Sequence, residues 1–131
     1  MIEMLSDLLA ALFGMIRRGE FIQASENLER IYYDMLKEDA SFFRSIPKKD
    51  LTRMLLEEHN YTNGHLEILA ELFNAEAELA ASQGNPKDCL EYSEKSLLLF
   101  EFFDLQQKTL SLERLDKMTA IRDRILRLRN S

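Results

Sequence analysis

Apolar residues along this chain recur at spacings of three and four, the period of a helix with one buried face. In residues 2–17, Ile2, Leu5, Leu9, Leu12 and Ile16 form one stripe, widened by Leu8, Phe13 and Met15; this predicts a helix buried over more than half its circumference. Gly19 ends it. Phe21, Ala24, Leu28, Ile31 and Met35 repeat in the same way, with Ile22, Tyr32 and Leu36 broadening the face, so a second helix is expected over about 20–38. The connector between them is short enough to make an antiparallel hairpin. Residues 39–60 are less regular. Phe42 and Phe43 suggest one turn of helix, Ser45-Ile46-Pro47 reads as a restart, and a short helix over about 48–58 is expected to pack Leu51, Met54 and Leu55. Asn60-Tyr61-Thr62-Asn63-Gly64 reads as a loop.

From about 65 to 82, Leu66, Leu69, Leu72, Phe73, Ala77 and Ala80 mark an inner face, and Glu67, Glu71, Glu76 and Glu78 mostly outward positions. Gly84-Asn85-Pro86 is the strongest local signal: Gly ends one helix, Asn85 caps the next, Pro86 takes its first position and Asp88 its third. That helix is expected to run to about 105. It is apolar nearly all round near its end, through Leu97, Leu98, Leu99, Phe100, Phe102, Phe103 and Leu105, as suits a central core helix or an interface. Ser111 is placed to cap a last helix with the stripe Leu112, Leu115, Met118, Ile121, Ile125 and Leu128.

Composition agrees with an all-α class. The 131 residues include 23 Leu, 15 Glu and 10 Ala against 8 Ile, 4 Thr and no Val, so helix formers outnumber the residues that suit strands. The length suits a single domain spanning 1–131, and no apolar run approaches the roughly 20 residues of a bilayer span. The net charge of −6 disfavours a general nucleic-acid binder. That charge is uneven: the balance is −1 over residues 1–54, −9 over 55–104 and +4 over 105–131. The cations of the last helix suit the negative end of its own dipole, or they meet acids elsewhere: on a partner, or on residues 55–104 of a second copy.

Little in the chain points to catalytic or metal chemistry. His59 and His65 are six apart, not on one helical face, with Gly64 expected to break the helix between them. Glu57, Glu58 and His59 are adjacent rather than spaced as Glu-x-x-His, so no metal site is expected. Cys89, the only cysteine, cannot form an internal disulfide and occupies a small-residue position, which favours a packed thiol over a nucleophile. With Glu3 and Asp7 near the N-terminus in place of the positive charge of a secretory signal, a cytoplasmic protein is expected. No phosphate loop, dinucleotide fingerprint or zinc-protease motif is present, so neither catalysis nor a cofactor is expected.

Residues 18–30 and 83–95 resemble each other. Each has Gly at a helix end (Gly19, Gly84) and a small residue five positions later (Ala24, Cys89), with the glycines 65 residues apart, close to two units of about 34. Gly permits the tight turn and the small residue permits close approach of the two helices. This pattern resembles the tetratricopeptide repeat, most closely in the second stretch, through Ala77, Gly84, Cys89, Ser96 and the run Leu-Glu-Tyr-Ser-Glu-Lys-Ser-Leu. The first stretch departs from it: Leu12 and Ile31 stand where small residues are usual, and Leu36 and Glu101 stand where each unit normally has proline. The whole chain is similar to small uncharacterised bacterial proteins built from such hairpins.

The resemblance implies antiparallel helical hairpins stacked as a right-handed superhelix with a C-terminal capping helix. In that family peptides often lie in a groove lined by the first helix of each unit. The corresponding positions are Ser6, Leu9, Phe13 and Ile16, and then Glu71, Asn74, Glu78 and Ala81. No basic clamp for a carboxylate is present, so a partner on the second set should be basic or mainly apolar. The expected role is a non-enzymatic scaffold or adaptor contacting another protein or, as a homodimer, itself, with Glu71, Asn74, Glu78, Phe100 and Phe103 as candidate contact residues. The alternative is a regulator that meets nucleic acid through Arg114, Lys117, Arg122, Arg124, Arg127 and Arg129.

Overall fold

Seven α-helices follow one another in a computed structural model that describes residues 2–108 and 110–131, with side chains from residue 4. They are α1 (Ile2–Arg17), α2 (Phe21–Leu36), α3 (Ala40–Arg44), α4 (Leu51–Arg53), α5 (Asn63–Ser82), α6 (Pro86–Gln106) and α7 (Leu112–Arg129). Helix α4 is the middle of a continuous coil, entered by a 3₁₀ turn (Lys48–Asp50) and left through a π turn (Met54–Glu58). No strand occurs among the described residues, and no helix among them is long and apolar enough to cross a membrane. The Ile2 and Glu3 side chains, used above in the first stripe and the charge pattern, lie outside the described residues.

The two glycine turns are built alike. Gly19 and Gly84 adopt φ of +77° and +74°, a left-handed conformation that strains any side chain. Past each, the chain folds back through the same pair of bonds: Glu20 N–H to Met15 O and Gly19 N–H to Ile16 O, then Asn85 N–H to Ala80 O and Gly84 N–H to Ala81 O. A Cβ on either glycine would meet nothing within 4 Å, so φ rather than space demands glycine there. Ala24 and Cys89, one position into the next turn of helix, are both buried. Asn85 and Ser111 cap α6 and α7 by accepting from the N–H groups of Asp88 and Arg114.

Three details differ from the sequence reading. Helix α5 starts at Asn63, not near 65, because Thr62 accepts the His65 N–H while the His65 ring accepts the Thr62 N–H. This reciprocal cap, with His in the place usually held by Glu or Gln, draws Asn63 and Gly64 into the first turn. Gly64 therefore does not break a helix; the break lies at residues 59–62. On α2, Ile22 is 79% exposed rather than part of the inner face. On α7 the stripe narrows to Met118, Ile121 and Ile125, and Leu112 faces outward.

Helices α1 and α2 form one antiparallel pair, α5 packs on both, α6 packs on α5, and α7 packs on α6. A single apolar cluster runs through this stack from Leu5 to Ile125. Helix α5 is its centre, with Leu66, Leu69, Ala70, Leu72, Phe73 and Ala75 buried around its circumference. The α5–α6 contact is lined by small residues: Ala77, Ala80 and Cys89 form their own cluster, and the buried Ser96 hydroxyl donates to Ala70 O at 2.7 Å. The irregular segment closes the side: Tyr61 OH donates to Leu36 O at 2.7 Å, tying it to the end of α2.

Candidate functional site

Residues 71, 74 and 78 occupy one face of α5 because their spacing is three and four. Since α6 runs antiparallel to both neighbours, α7 lies parallel to α5, and cations on α7 repeat in register with acids on α5. Lys117 Nζ donates to Glu71 Oε2 at 2.5 Å. Two turns on, Arg124 Nη1 donates to Glu78 Oε1 at 2.8 Å and Nη2 to Asn74 Oδ1 at 2.6 Å. Both pairs are offset by 46 residues, so one parallel alignment satisfies both. Arg114 Nη1 adds a longer contact, 3.9 Å from Glu67 Oε2. Burial holds the Glu67 carboxyl above its usual range, more than the Arg114 charge lowers it.

Arg124 is the pin of this seam. Its Nε also donates to the buried Ser93 hydroxyl at 2.8 Å, so every nitrogen of its guanidinium has an acceptor on α5 or α6. Along α6 a second set of contacts joins α7 in antiparallel order. Arg114 Nε donates to Asp104 at 2.9 Å, and its Nη2 lies 2.8 Å from the same oxygen, off the line of a hydrogen bond. Arg122 reaches Glu101 at 3.2 Å, and Arg129 pairs with Glu94. Burial alone would raise the Glu94 carboxyl, but hydrogen bonding and charge from Arg129 and Lys48 outweigh it and lower its pKa.

Glu71, Asn74 and Glu78 are thus brought together as expected, and the side chains they meet belong to the same chain. Phe100 and Phe103 do not join them. Both are buried: Phe100 floors a recess with Leu5 and Leu9, and Phe103 lies under the Arg114 guanidinium, 5.1 Å from its ring centre. The apolar side chains left partly or fully accessible on this end of α6 are Leu97, Leu98, Phe102 and Leu105. Leu97 and Leu98, with Ile125 and Leu126, floor a cleft of about 360 Å3 between α6 and α7, rimmed by Lys48, Glu94, Glu101, Arg122 and Arg129.

Glu76 corrects the reading of an outward acidic row. It is buried where α5 meets α2 and α3, and there it receives hydrogen bonds from Arg44 Nε and from Tyr32 OH at 3.3 Å. Arg44 also donates to Glu29 at 2.7 Å and lies over the Tyr32 ring. Helix α5 is surrounded, so a residue outward on one side of it meets another helix. Desolvation still raises the Glu76 carboxyl, against Arg44 and Tyr32, and raises the Tyr32 phenol well above normal. Nearby, the buried Lys95 donates to Arg44 O at 3.1 Å and sits 5.7 Å from the Phe73 ring centre; burial lowers its pKa. Burial also pushes Tyr92, stacked on Phe73, up to about 12. The run Ala75-Glu76-Ala77 was the available signal, because small residues on both sides of a glutamate suit a helix hemmed in on every face.

The remaining candidates are ordinary in their surroundings. His59 meets Phe42 edge-on at 4.9 Å, and His65 serves the α5 cap. Cys89 is buried as a free thiol. Among the described residues, no group of three or more His, Cys, Asp and Glu could hold a metal ion. No protein-family signature, curated protein or solved structure matches the chain.

Proposed function

We propose that this chain is a non-enzymatic, tetratricopeptide-like interaction module of the cytoplasm that contacts another protein or a second copy of itself. The observation that carries the reading is the register between α7 and α5. A basic amphipathic helix lies on an acidic helix face through Lys117 on Glu71 and Arg124 on Asn74 and Glu78. This is how a helical stack takes a helical partner, with matched charges setting alignment and a short apolar stripe supplying contact area. The packing order supports the hairpin-stack reading, since α5 rests on both helices of the first pair and carries α6 on its far side. The buried thiol of Cys89 suits a reducing compartment.

The nucleic-acid alternative draws less support. Arg114, Lys117, Arg122, Arg124 and Arg129 each have a carboxylate of the same chain within 4 Å. Phosphate binding would have to compete with those pairs. The α6–α7 cleft, with its leucine floor and mixed-charge rim, suits a protein segment better.

The test is affinity capture from the native host with wild-type and Leu98→Asp baits of equal helicity, alongside heparin chromatography. A partner, or self-association, lost with Leu98→Asp supports the reading. Salt-dependent heparin retention that disappears with Arg122→Glu and Arg127→Glu, without any protein capture, contradicts it.

A further inference from the structure

We propose that the recess between α1, α5 and α7, floored by Phe100 of α6, binds the N-terminal residue of a partner protein through its free α-ammonium group, its carbonyl oxygen and an apolar side chain. This rests on the reading of the chain as a protein-interaction module and names the chemistry of one end of the partner.

The first observation is an open rung in the seam between α5 and α7. Two rungs are closed, Lys117 on Glu71 and Arg124 on Asn74 and Glu78. At the third, Arg114 Nη1 stands 3.9 Å from Glu67 Oε2, beyond the reach of a hydrogen bond. The rest of that guanidinium faces Asp104. Among the described residues, neither Arg114 Nη1 nor the Glu67 carboxylate makes a hydrogen bond, although Arg114 is only 9% exposed and Glu67 is mostly buried. Buried polar groups are ordinarily paired. The raised pKa of Glu67 marks a carboxylate that burial costs more than its neighbours return. A donor and an acceptor left open side by side fit a ligand that carries the complement of each on adjoining atoms.

The second observation is the recess that both groups line. Its volume is about 200 Å3, and Leu5, Leu9 and Phe100 give it an apolar floor. It is smaller than the clefts of about 300–1,000 Å3 that take drug-sized ligands, so it suits one residue rather than a longer segment. Charge then selects which residue. Glu67, Glu71 and Glu113 line the recess against Arg114 and Lys117, and Asp104 already meets Arg114. Lys117 is held by Glu71 and lies 3.7 Å from Glu113. The surplus is negative, so the entering group is a cation, and Glu67 is the acid left to receive it. A C-terminal carboxylate would add to that surplus, and a lysine side chain carries no acceptor beside its ammonium. An α-ammonium group does: it donates to Glu67 while the carbonyl oxygen of the same residue accepts from Arg114 Nη1, and the first side chain lies on Phe100.

Titration calorimetry on the full-length chain tests this with a tetrapeptide amide that begins with leucine. The peptide should bind saturably, and its N-acetylated form should bind roughly tenfold or more weakly, because the charge that Glu67 receives is gone. Glu67→Gln should weaken the free-amine peptide to a similar degree with helicity unchanged, since that carboxylate makes no hydrogen bond in the fold. Glu101→Gln, on the rim of the separate α6–α7 cleft, should bind it as wild type does. No binding, equal binding of the acetylated peptide, or equal binding by Glu67→Gln overturns the proposal. A peptide that begins with aspartate and binds as well as the leucine peptide overturns it too, because the apolar floor would then play no part. Free leucine bound as tightly as the peptide would assign the recess to an amino acid and overturn the protein partner. A chain that ignores every peptide yet still captures a protein dependent on Leu98 would sink this proposal and leave the interaction-module reading standing.

Discussion

The α1–α2 pair and the α6–α7 pair are both antiparallel neighbours in one stack, yet different forces hold them. Between α1 and α2 the buried residues are apolar, among them Leu12, Ile16, Ala24, Leu28 and Ile31, and the Arg18–Glu20 pair at their turn is exposed. Along α7 the buried stripe is short and the helix is tied down by Arg114, Lys117, Arg122, Arg124 and Arg129. Apolar burial is indifferent to salt at ordinary concentrations and to moderate pH change, whereas charge pairs weaken with screening and with protonation of the acid. The first hairpin is held by the apolar core, while the seat of the last helix should answer to solution conditions.

The largest effect should come from the apolar half. Leu28→Ala empties a fully buried position on α2, and urea unfolding should register a loss of about 2–5 kcal/mol. A loss no greater than that of a surface substitution would mean the first hairpin is not the apolar anchor described. Next comes the cluster that ties the irregular segment to α5. Arg44→Ala leaves the Glu76 carboxylate buried without its cation and should cost about 3 kcal/mol. The double variant with Glu76→Leu should recover much of that loss, because it removes the stranded charge as well; equal losses in single and double variants would show that the pair contributes nothing as a pair.

Arg124→Ala tests the ionic half, since it strips partners from Glu78, Asn74 and Ser93 at once. The expected loss is about 1–2 kcal/mol, with proteolysis first appearing in α7 rather than in α1 or α2. The smallest effect is one of pH. The Glu94 carboxyl titrates below its ordinary value, so it contributes stability above about pH 4.5 that is lost as pH falls through its lowered pKa. Arg129→Ala should remove that contribution, at most about 1 kcal/mol for so exposed a pair. The difference from wild type should be present at pH 6 and vanish in stronger acid; a difference that grew in acid would contradict the assignment.

Much of the fold was legible locally. Gly19, Gly84, Asn85 and Ser111 act through bonds a few residues long, and each behaves as its sequence setting predicts. The Thr62 cap was hidden because Gly64 suggests a break, and because His in the third helical position is an uncommon capping partner. The candidate site was legible only as a face and a charge balance. The spacing of Glu71, Asn74 and Glu78 puts them together, and the acidic middle and basic end announce complementarity. That the complement lies on the same chain follows from the parallel alignment of two helices separated by a third, which no local pattern encodes. Phe100 and Phe103 stayed open between core and interface, and Glu76 was misplaced, for the same reason: burial on α5 and α6 is decided by Arg114, Leu5, Tyr32 and Arg44, which arrive from distant parts of the chain.

The difference between the two pairs is tested most directly by hydrogen exchange read along the chain at 0.1 M and 1 M sodium chloride, conditions whose screening lengths are about 10 Å and 3 Å. Protection of the α7 amides should fall several-fold in the higher salt while α1 and α2 keep theirs. Equal change in both pairs, or none in α7, would contradict the claim that charge pairs hold the last helix in its seat.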